Sequence, residues 1–439
     1  MRVGQIIFSN TAWDPRPANH LYAMQRWFPD IEPVLITIAE NSVEPPYVLQ
    51  RDDDAPLRGM RTPATAGRRA KVEHYRLDPR SLPAWREAIE RLNLDIVHVH
   101  ELTALQGLLV DWKAPYVQGR AGLNNMTQTI ARELPIVPWK AGSRLVYDVH
   151  ECERARSEKT AEENAWSGIL EDRLLLEGNV DAVITTSPTQ AEVLETFLFN
   201  AGFERAASSS LIVDSPNGPP LALGPDSYAT RNAGRRALGI RTDAYVAVWA
   251  GALTPRRFPI HVATNLIAHG FAVVALATFG EEDRAYAEQL ESLGVCFFEP
   301  VPTAYHHDDL KDSLQSALAI GDVGLCFNDL TSLNNVIASP NKLWEYASAG
   351  VPCLLTNCAP DAEELFGREA VLRPGGYDRW DPIVWKCWIE EAQAMGHGPI
   401  AHVQDHYERT WGTKEINALS YAYGLDEDDQ PDWSEDNGS

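Results

Sequence analysis

Positive charge is scarce in this sequence. Its 38 basic residues, only eight of them Lys, face 62 acidic ones and leave a formal charge of -24 over 439 residues. Duplex binders displace counterions with basic surfaces, so no nucleic-acid partner is expected. Cysteine is thin as well. The six present (Cys152, Cys296, Cys326, Cys353, Cys358, Cys387) are scattered, mostly inside apolar runs, with no Cys-x-x-Cys pair, and read as reduced core thiols. Long apolar runs are missing: the best candidate, Phe271 to Phe279, is strand length, against the roughly 18 to 20 residues of a membrane helix. The stretch Met1 to Phe8 breaks its apolar run too early for a signal peptide, so a cytoplasmic location is expected. Also absent are a Gly-x-Ser-x-Gly elbow, a Walker loop and a Gly-x-Gly-x-x-Gly after the first strand, which removes the main support for hydrolase, ATPase and dehydrogenase readings. Asp52-Asp53-Asp54 has the spelling of a metal-diphosphate Asp-x-Asp, but it lies in a hydrophilic run and reads as a charged loop.

What is present is the composition of an ordinary globular protein, 44% hydrophobic and 23% charged, long enough for two or three domains. Short Val- and Ile-rich runs alternate with segments of helical period, the signature of a parallel sheet covered on both faces. Strands are expected at Val3–Ser9, Pro33–Ile38, Asp95–His100, Tyr116–Gln118, Leu145–His150, Asp181–Ser187 and Leu211–Asp214, with helices such as Leu82–Leu92 and Ala161–Glu177 between them. A Pro- and Gly-rich stretch from Ser215 to Pro225 reads as a linker. The rhythm restarts with strands at Tyr245–Ala250, Phe271–Thr278, Val295–Phe298, Val323–Phe327 and Pro352–Thr356, and helices at Arg257–Ala268, Glu281–Leu293, Asp308–Ile320, Asn341–Ala349 and Pro360–Phe366. The expected fold class is α/β: two Rossmann-like, doubly wound domains facing a cleft. Residues 1–215 form the first, 216–230 the linker, 231–378 the second, 379–424 terminal helices packing across both, and 425–439 an acidic disordered tail. Arg51 to Arg80 reads as one long connection, either a mobile solvated loop or, with Arg58, Arg61, Arg68, Arg69 and Lys71, a basic lip that meets an anionic or membrane-linked acceptor.

The sharpest chemistry lies in Ser339 to Pro352. Pro340 and Gly350 frame a short helix whose amino end offers N–H groups and a positive dipole end for phosphate. Lys342 adds a point charge, and Glu345, one turn in, could accept hydrogen bonds from two ribose hydroxyls. Trp249 to Arg257 runs a strand into a glycine turn followed by Arg256 and Arg257, whose guanidinium forks suit phosphate oxygens at an expected helix start. His100 ends an apolar strand at the carboxyl edge, where ligands of doubly wound sheets collect, while His98, deeper on the same strand, reads as a core residue.

The string PNKLWEYASAGVPCLLTN resembles the donor-site helix of the retaining glycosyltransferases of family 4, nucleotide-sugar-dependent enzymes with the two-domain GT-B fold. Asp95 to Glu101 is similar to that family's "pDivHvHe" strand, Leu145 to Glu151 to the "vyDvHE" strand of one subgroup, and Asp14-Pro15-Arg16 to that subgroup's first loop. Glu171 to Ser187 and Pro216-Asn217-Gly218 follow in the family's order, so the resemblance spans nearly the whole chain.

The resemblance implies a hexosyltransferase-type enzyme of class EC 2.4, moving a sugar with retention of configuration from a nucleotide-diphosphate donor to a hydroxyl acceptor, with neither metal nor cofactor. It implies His100, Arg256 and Arg257 as catalytic residues, and Gly251, Asn341, Lys342, Leu343 and Glu345 as the donor site. Asp14, Arg16, His150 and Glu151 fall on the acceptor side. A glycan or lipid-linked glycan acceptor, weak peripheral contact at the inner membrane face, and a place in polysaccharide or glycolipid assembly complete the expectation. Two positions depart from the pattern: Ala252 stands where many members have Arg, and Ile337 where many have a Glu touching the sugar. A catalytically silent scaffold of the same fold is the alternative these departures leave open.

Overall fold

The computed structural model describes residues 1–8, 15–38, 49–51, 72–114, 126–140, 142–156, 159–203, 211–215, 227–255, 257–278, 280–298, 317–327, 333–337, 339–355, 371–372 and 400–425. Asp14, Arg256, the strand expected at Tyr116–Gln118, the helix at Pro360–Phe366, most of that at Asp308–Ile320, the linker up to residue 226, the basic lip and the acidic tail lie outside them. The chain divides into two compact units, Met1–Pro216 with Thr413–Ser439, and Asn217–Gly412.

Unit 1 runs β1 (Arg2–Phe8), α1 (Pro15–Trp27), β2 (Glu32–Ile38), β3 (Leu49–Arg51), β4 (Glu73–Leu77), α2 (Trp85–Glu90), β5 (Ile96–His100), α3 (Glu101–Leu109), α4 (Gln128–Glu133), β6 (Arg144–Val149), α5 (Ala161–Glu177), β7 (Ala182–Thr185), α6 (Pro188–Ala201) and β8 (Ile212–Asp214). Its sheet has the order β3-β4-β2-β1-β5-β6-β7-β8, parallel except for the edge strand β3. Parallel strands covered on both faces carry no polar face, and β5 and β7 are buried at every position. Local chemistry sets the helix ends. Thr160 and Glu163 close a reciprocal capping box on α5, and Ser187 with Pro188 starts α6, which stops where Gly202 takes a φ of 112°.

Two readings of the connection after β2 are corrected. Arg51 to Arg80 is not one loop: Glu73–Leu77 is a strand running parallel to β2, with β3 antiparallel on its outer side. Its polar residues hide it from a search for apolar runs, yet His74 is buried and its Nε2 meets Thr37 Oγ1 at 2.9 Å. The helix expected from Leu82 is a 3-10 turn, Pro79–Ala84, with Pro83 inside it, and the α-helix begins at Trp85.

Unit 2 runs α7 (Ser227–Ala237), β9 (Val246–Ala252), α8 (Ile260–Ala268), β10 (Ala272–Thr278), α9 (Arg284–Ser292), β11 (Cys296–Phe297), β12 (Val323–Cys326), α10 (Leu333–Ile337), α11 (Asn341–Ser348), β13 (Cys353–Leu355) and β14 (Val371–Leu372). The sheet order is β11-β10-β9-β12-β13-β14, with every pairing parallel. The strand order reverses at β9, so the crevice between β9 and β12 is the topological switch point where ligands of such sheets bind. A buried ion pair pins α7: Arg235 donates to Asp322 Oδ2 at 2.8 Å and to the carbonyls of Ile320, Thr242 and Ala244. The last helix, α12 (Ile400–Tyr423), belongs to unit 1 from Thr413 onward, where Ile416, Leu419 and Ala422 are buried.

Candidate functional site

In unit 2, the carboxyl end of β9 takes a backbone conformation that only glycine adopts without strain. Gly251 has a φ of 131° and is exposed. A Cβ built there would lie 3.6 Å from Lys342 Nζ, so the first turn of α11 faces this backbone closely. Lys342 Nζ stands 4.8 Å from the centroid of the Trp249 ring, which stacks on Phe258 at 5.2 Å. Such a contact holds an ammonium by about 0.5 to 2 kcal/mol without neutralising its charge.

The amino end of α11 has Pro340 at the cap position and no side-chain cap, leaving its dipole end open to an anion. Asn341 Oδ1 is buried without a hydrogen-bond partner among the described residues. Leu343, Trp344 and Tyr346 form the buried side of the helix, and the Trp344 indole donates to Ser339 Oγ at 2.7 Å. Glu345 is only 7% exposed, and its carbonyl accepts from Ser348 Oγ. Gly251 and Lys342 thus meet at the carboxyl end of β9, and Asn341 and Glu345 lie on the same short helix as Lys342.

Arg257 is exposed in the turn that precedes α8, its N–H donating to Thr254 Oγ1 at 3.2 Å. The expected helix start at Arg257 is corrected to Ile260, with Pro259 as its cap, because the residue before a proline is pushed out of the helical region. Ile337, one of the two positions that depart from the expected pattern, is 3% exposed and part of the core.

In unit 1 the expected residues meet a network that sequence reasoning largely missed. Arg16 is buried, its Nε 2.7 and 2.8 Å from the two Asp148 oxygens, and it reaches the carbonyls of Ser215 and Thr185. One turn on, His20 Nε2 meets Asp148 Oδ2 at 2.8 Å while its Nδ1 meets Glu415 Oε1 of α12 at 2.5 Å. Ser215 Oγ donates to the other Glu415 oxygen. His98 Nδ1 lies 3.0 Å from the Tyr423 hydroxyl, and its ring stacks on that of His100 at 4.5 Å. His100, fully buried, has Nδ1 3.0 Å from His150 Nε2. His150 is partly exposed at this sheet edge, and Glu151 pairs with Arg156 at 2.8 Å. Glu101, directly after His100, has a φ of 67°, a strained backbone for a non-glycine residue.

The charges in this network are set by their neighbours. Burial opposes a charged His20, but Glu415 and then Asp148 outweigh it and raise its pKa to about 9. Burial also works against the Asp148 carboxylate, yet Arg16 and His20 hold it well below the usual range. Burial lowers His98 to about 4, and burial with His98 beside it keeps His100 neutral.

Two triplets, His20/His98/Asp148 and His100/Asp148/His150, bring ligand atoms within 4.8 Å of one another. At the first triplet the charge count favours a proton over a divalent ion: Arg16 and protonated His20 balance Asp148 and Glu415, whereas a dication with neutral His20 leaves an excess positive charge in a buried site. At the second, Glu101 Oε1 lies 3.9 Å from His150 Nδ1 and adds a carboxylate. His20 and Asp148 carried a detectable signal, since Arg16 and His20 are four apart on one helix and a carboxylate inside an apolar strand needs a partner. Glu415 and Tyr423 carried none.

No family model matches this sequence, and no curated protein matches it either. Solved structures do match in fold. HepE from Anabaena, in complex with UDP-glucose, aligns with a TM-score of 0.57 at 14% identity over 97% of this chain and 99% of its own. Sucrose-phosphate synthase from Thermosynechococcus elongatus aligns at 0.54 with 12% identity, covering 97% of both chains. A glycosyltransferase from Rickettsia africae aligns at 0.53 with 10% identity, covering 96% of both. With its two parallel-sheet units in this order, the chain has the GT-B fold of these glycosyltransferase structures.

Proposed function

We propose that this protein is a nucleotide-sugar-dependent glycosyltransferase of the family 4 type, transferring a sugar to a hydroxyl acceptor with retention of configuration. The observation that carries the reading is the approach of Lys342 to the Gly251 turn at the open amino end of α11. Fixed ammonium, helix dipole and a glycine backbone are what a diphosphate leaving group requires. Glu345 would hold the ribose hydroxyls, while Arg257, with Arg256 beside it in sequence, would neutralise the phosphates.

In the proposed reaction the departing phosphate oxygen takes the acceptor proton as the new glycosidic bond forms on the same face. No carboxylate nucleophile and no metal enter this step. The acceptor would bind unit 1, at the carboxyl edge bearing His150 and Glu151, and the basic Arg58 to Lys71 segment would draw an anionic or lipid-linked glycan at the inner membrane face. Polysaccharide or glycolipid assembly is the pathway class that this implies. No described helix is long and apolar enough to cross a membrane.

A panel of UDP-, GDP- and ADP-sugars, incubated with the protein and read by mass spectrometry, tests the reading. Release of sugar or nucleotide from one donor supports it. Silence across all common donors favours the scaffold alternative that Ala252 and Ile337 leave open.

A further inference from the structure

Strands β9 and β12 part company at the switch point. β9 pairs with β10 along all seven of its residues, but with β12 only at Val323↔Ala247 and Gly324↔Val248. Continued by one step, this register would pair Leu325 with Trp249 and send the Ala250 N–H to the Leu325 carbonyl. That rung is replaced by a side chain from α11. The Ala250 N–H donates to the Tyr346 hydroxyl at 3.1 Å, and the hydroxyl hydrogen serves the Leu325 carbonyl at 3.1 Å or the Val248 carbonyl at 3.3 Å.

Tyr346 is fully buried, and β12 makes room for it. A Cβ on Gly324 would lie 2.5 Å from the Tyr346 ring, so only glycine lets the phenol reach the gap. The wedge lies one residue before Gly251 and on the helix that carries Lys342 and Glu345.

We propose that Tyr346 is a positioning residue that holds β9 and β12 apart at their carboxyl ends and thereby sets the distance between the Gly251 turn and the start of α11. This rests on the donor-site reading above. The physical reason is hydrogen-bond accounting: without the hydroxyl, the Ala250 N–H and Leu325 carbonyl must either pair directly, closing the crevice, or stay unpaired in the core. Either outcome moves the Gly251 turn relative to Lys342.

The test compares Tyr346→Phe and Gly324→Ala with Val273→Ala, which removes methyl groups at the amino end of the same sheet, where Val273 is fully buried. UDP affinity is measured by calorimetry, melting temperature by calorimetric scan, and deuterium uptake over residues 247–253 without ligand. Tyr346→Phe and Gly324→Ala are expected to weaken UDP about tenfold or more and to speed uptake. Val273→Ala is expected to lower the melting temperature with neither effect. Parental UDP affinity in Tyr346→Phe overturns the proposal, as does an equal loss in Val273→Ala, which would mark general loosening. If the parent binds none of UDP, GDP and ADP, the donor reading fails. Uptake then decides the wedge: faster exchange in Tyr346→Phe and Gly324→Ala but not in Val273→Ala sustains it, and unchanged exchange in Tyr346→Phe overturns it.

Discussion

The His20 bridge makes the stability of unit 1 depend on pH in a direction that can be worked out. His20 has an ordinary pKa of 6.5 and a folded one of about 9, because its imidazolium lies between Glu415 and Asp148. The folded state therefore keeps a proton that the unfolded chain releases. The contribution is complete below pH 6.5 and is lost as the pH rises toward 9. A difference of about 2.5 units at 1.36 kcal/mol each gives roughly 3 kcal/mol, on the order of what removing one partner of a buried pair costs.

Other groups titrate nearby. Burial, then Glu153, raises Glu171 to about 8, so its protonated form also favours folding and is lost as the pH rises from the ordinary range toward 8. A mutant difference cancels that background. Equilibrium urea unfolding of the full chain, with unit 1 read by pulsed deuterium labelling of the 144–149 segment, should be run on parent and His20→Gln between pH 6 and 9.5. The parent's advantage should shrink by about 3 kcal/mol between pH 6.5 and 9. A difference that stays flat across this window would refute the charged bridge.

Three further outcomes test the proposed donor site. Glu345→Gln should weaken binding of the preferred nucleoside diphosphate by about 1 to 3 kcal/mol, seen by calorimetry, since it discharges a hydrogen-bond acceptor. Arg257→Ala should lower turnover by on the order of a hundredfold while the melting temperature holds, because Arg257 is exposed and its side chain faces solvent-accessible space. Gly251→Ala meets no steric clash, its Cβ lying 3.6 Å from the nearest side-chain atom, so its cost is the backbone strain of a φ of 131°, about 1 to 3 kcal/mol in a thermal melt.

The alternation of elements was legible in the sequence because parallel strands buried on both faces read as apolar runs. β1, β2, β5, β6, β7 and β10 fall within two residues of their expected positions for that reason. The helix Ala161–Glu177 was legible at both ends, its start set locally by the Thr160 cap, whereas the helix that Ser187 and Gly202 bound was not read from the sequence. The helix α11 was legible because Pro340, Lys342, Glu345 and Gly350 all lie within one short segment. β4 was not, since its run is mostly polar and half-buried, and His74 is buried by a neighbour distant in the chain, Thr37. Tertiary structure alone decided the rest: His20 and Glu415 meet across 395 positions, Arg16 turns inward onto Asp148, and Tyr346 takes the place of a ladder rung between β9 and β12. Propensity and periodicity are set by neighbours along the chain, whereas a buried polar group is paired by whatever the fold brings within about 3 Å, and that partner leaves no trace in local sequence.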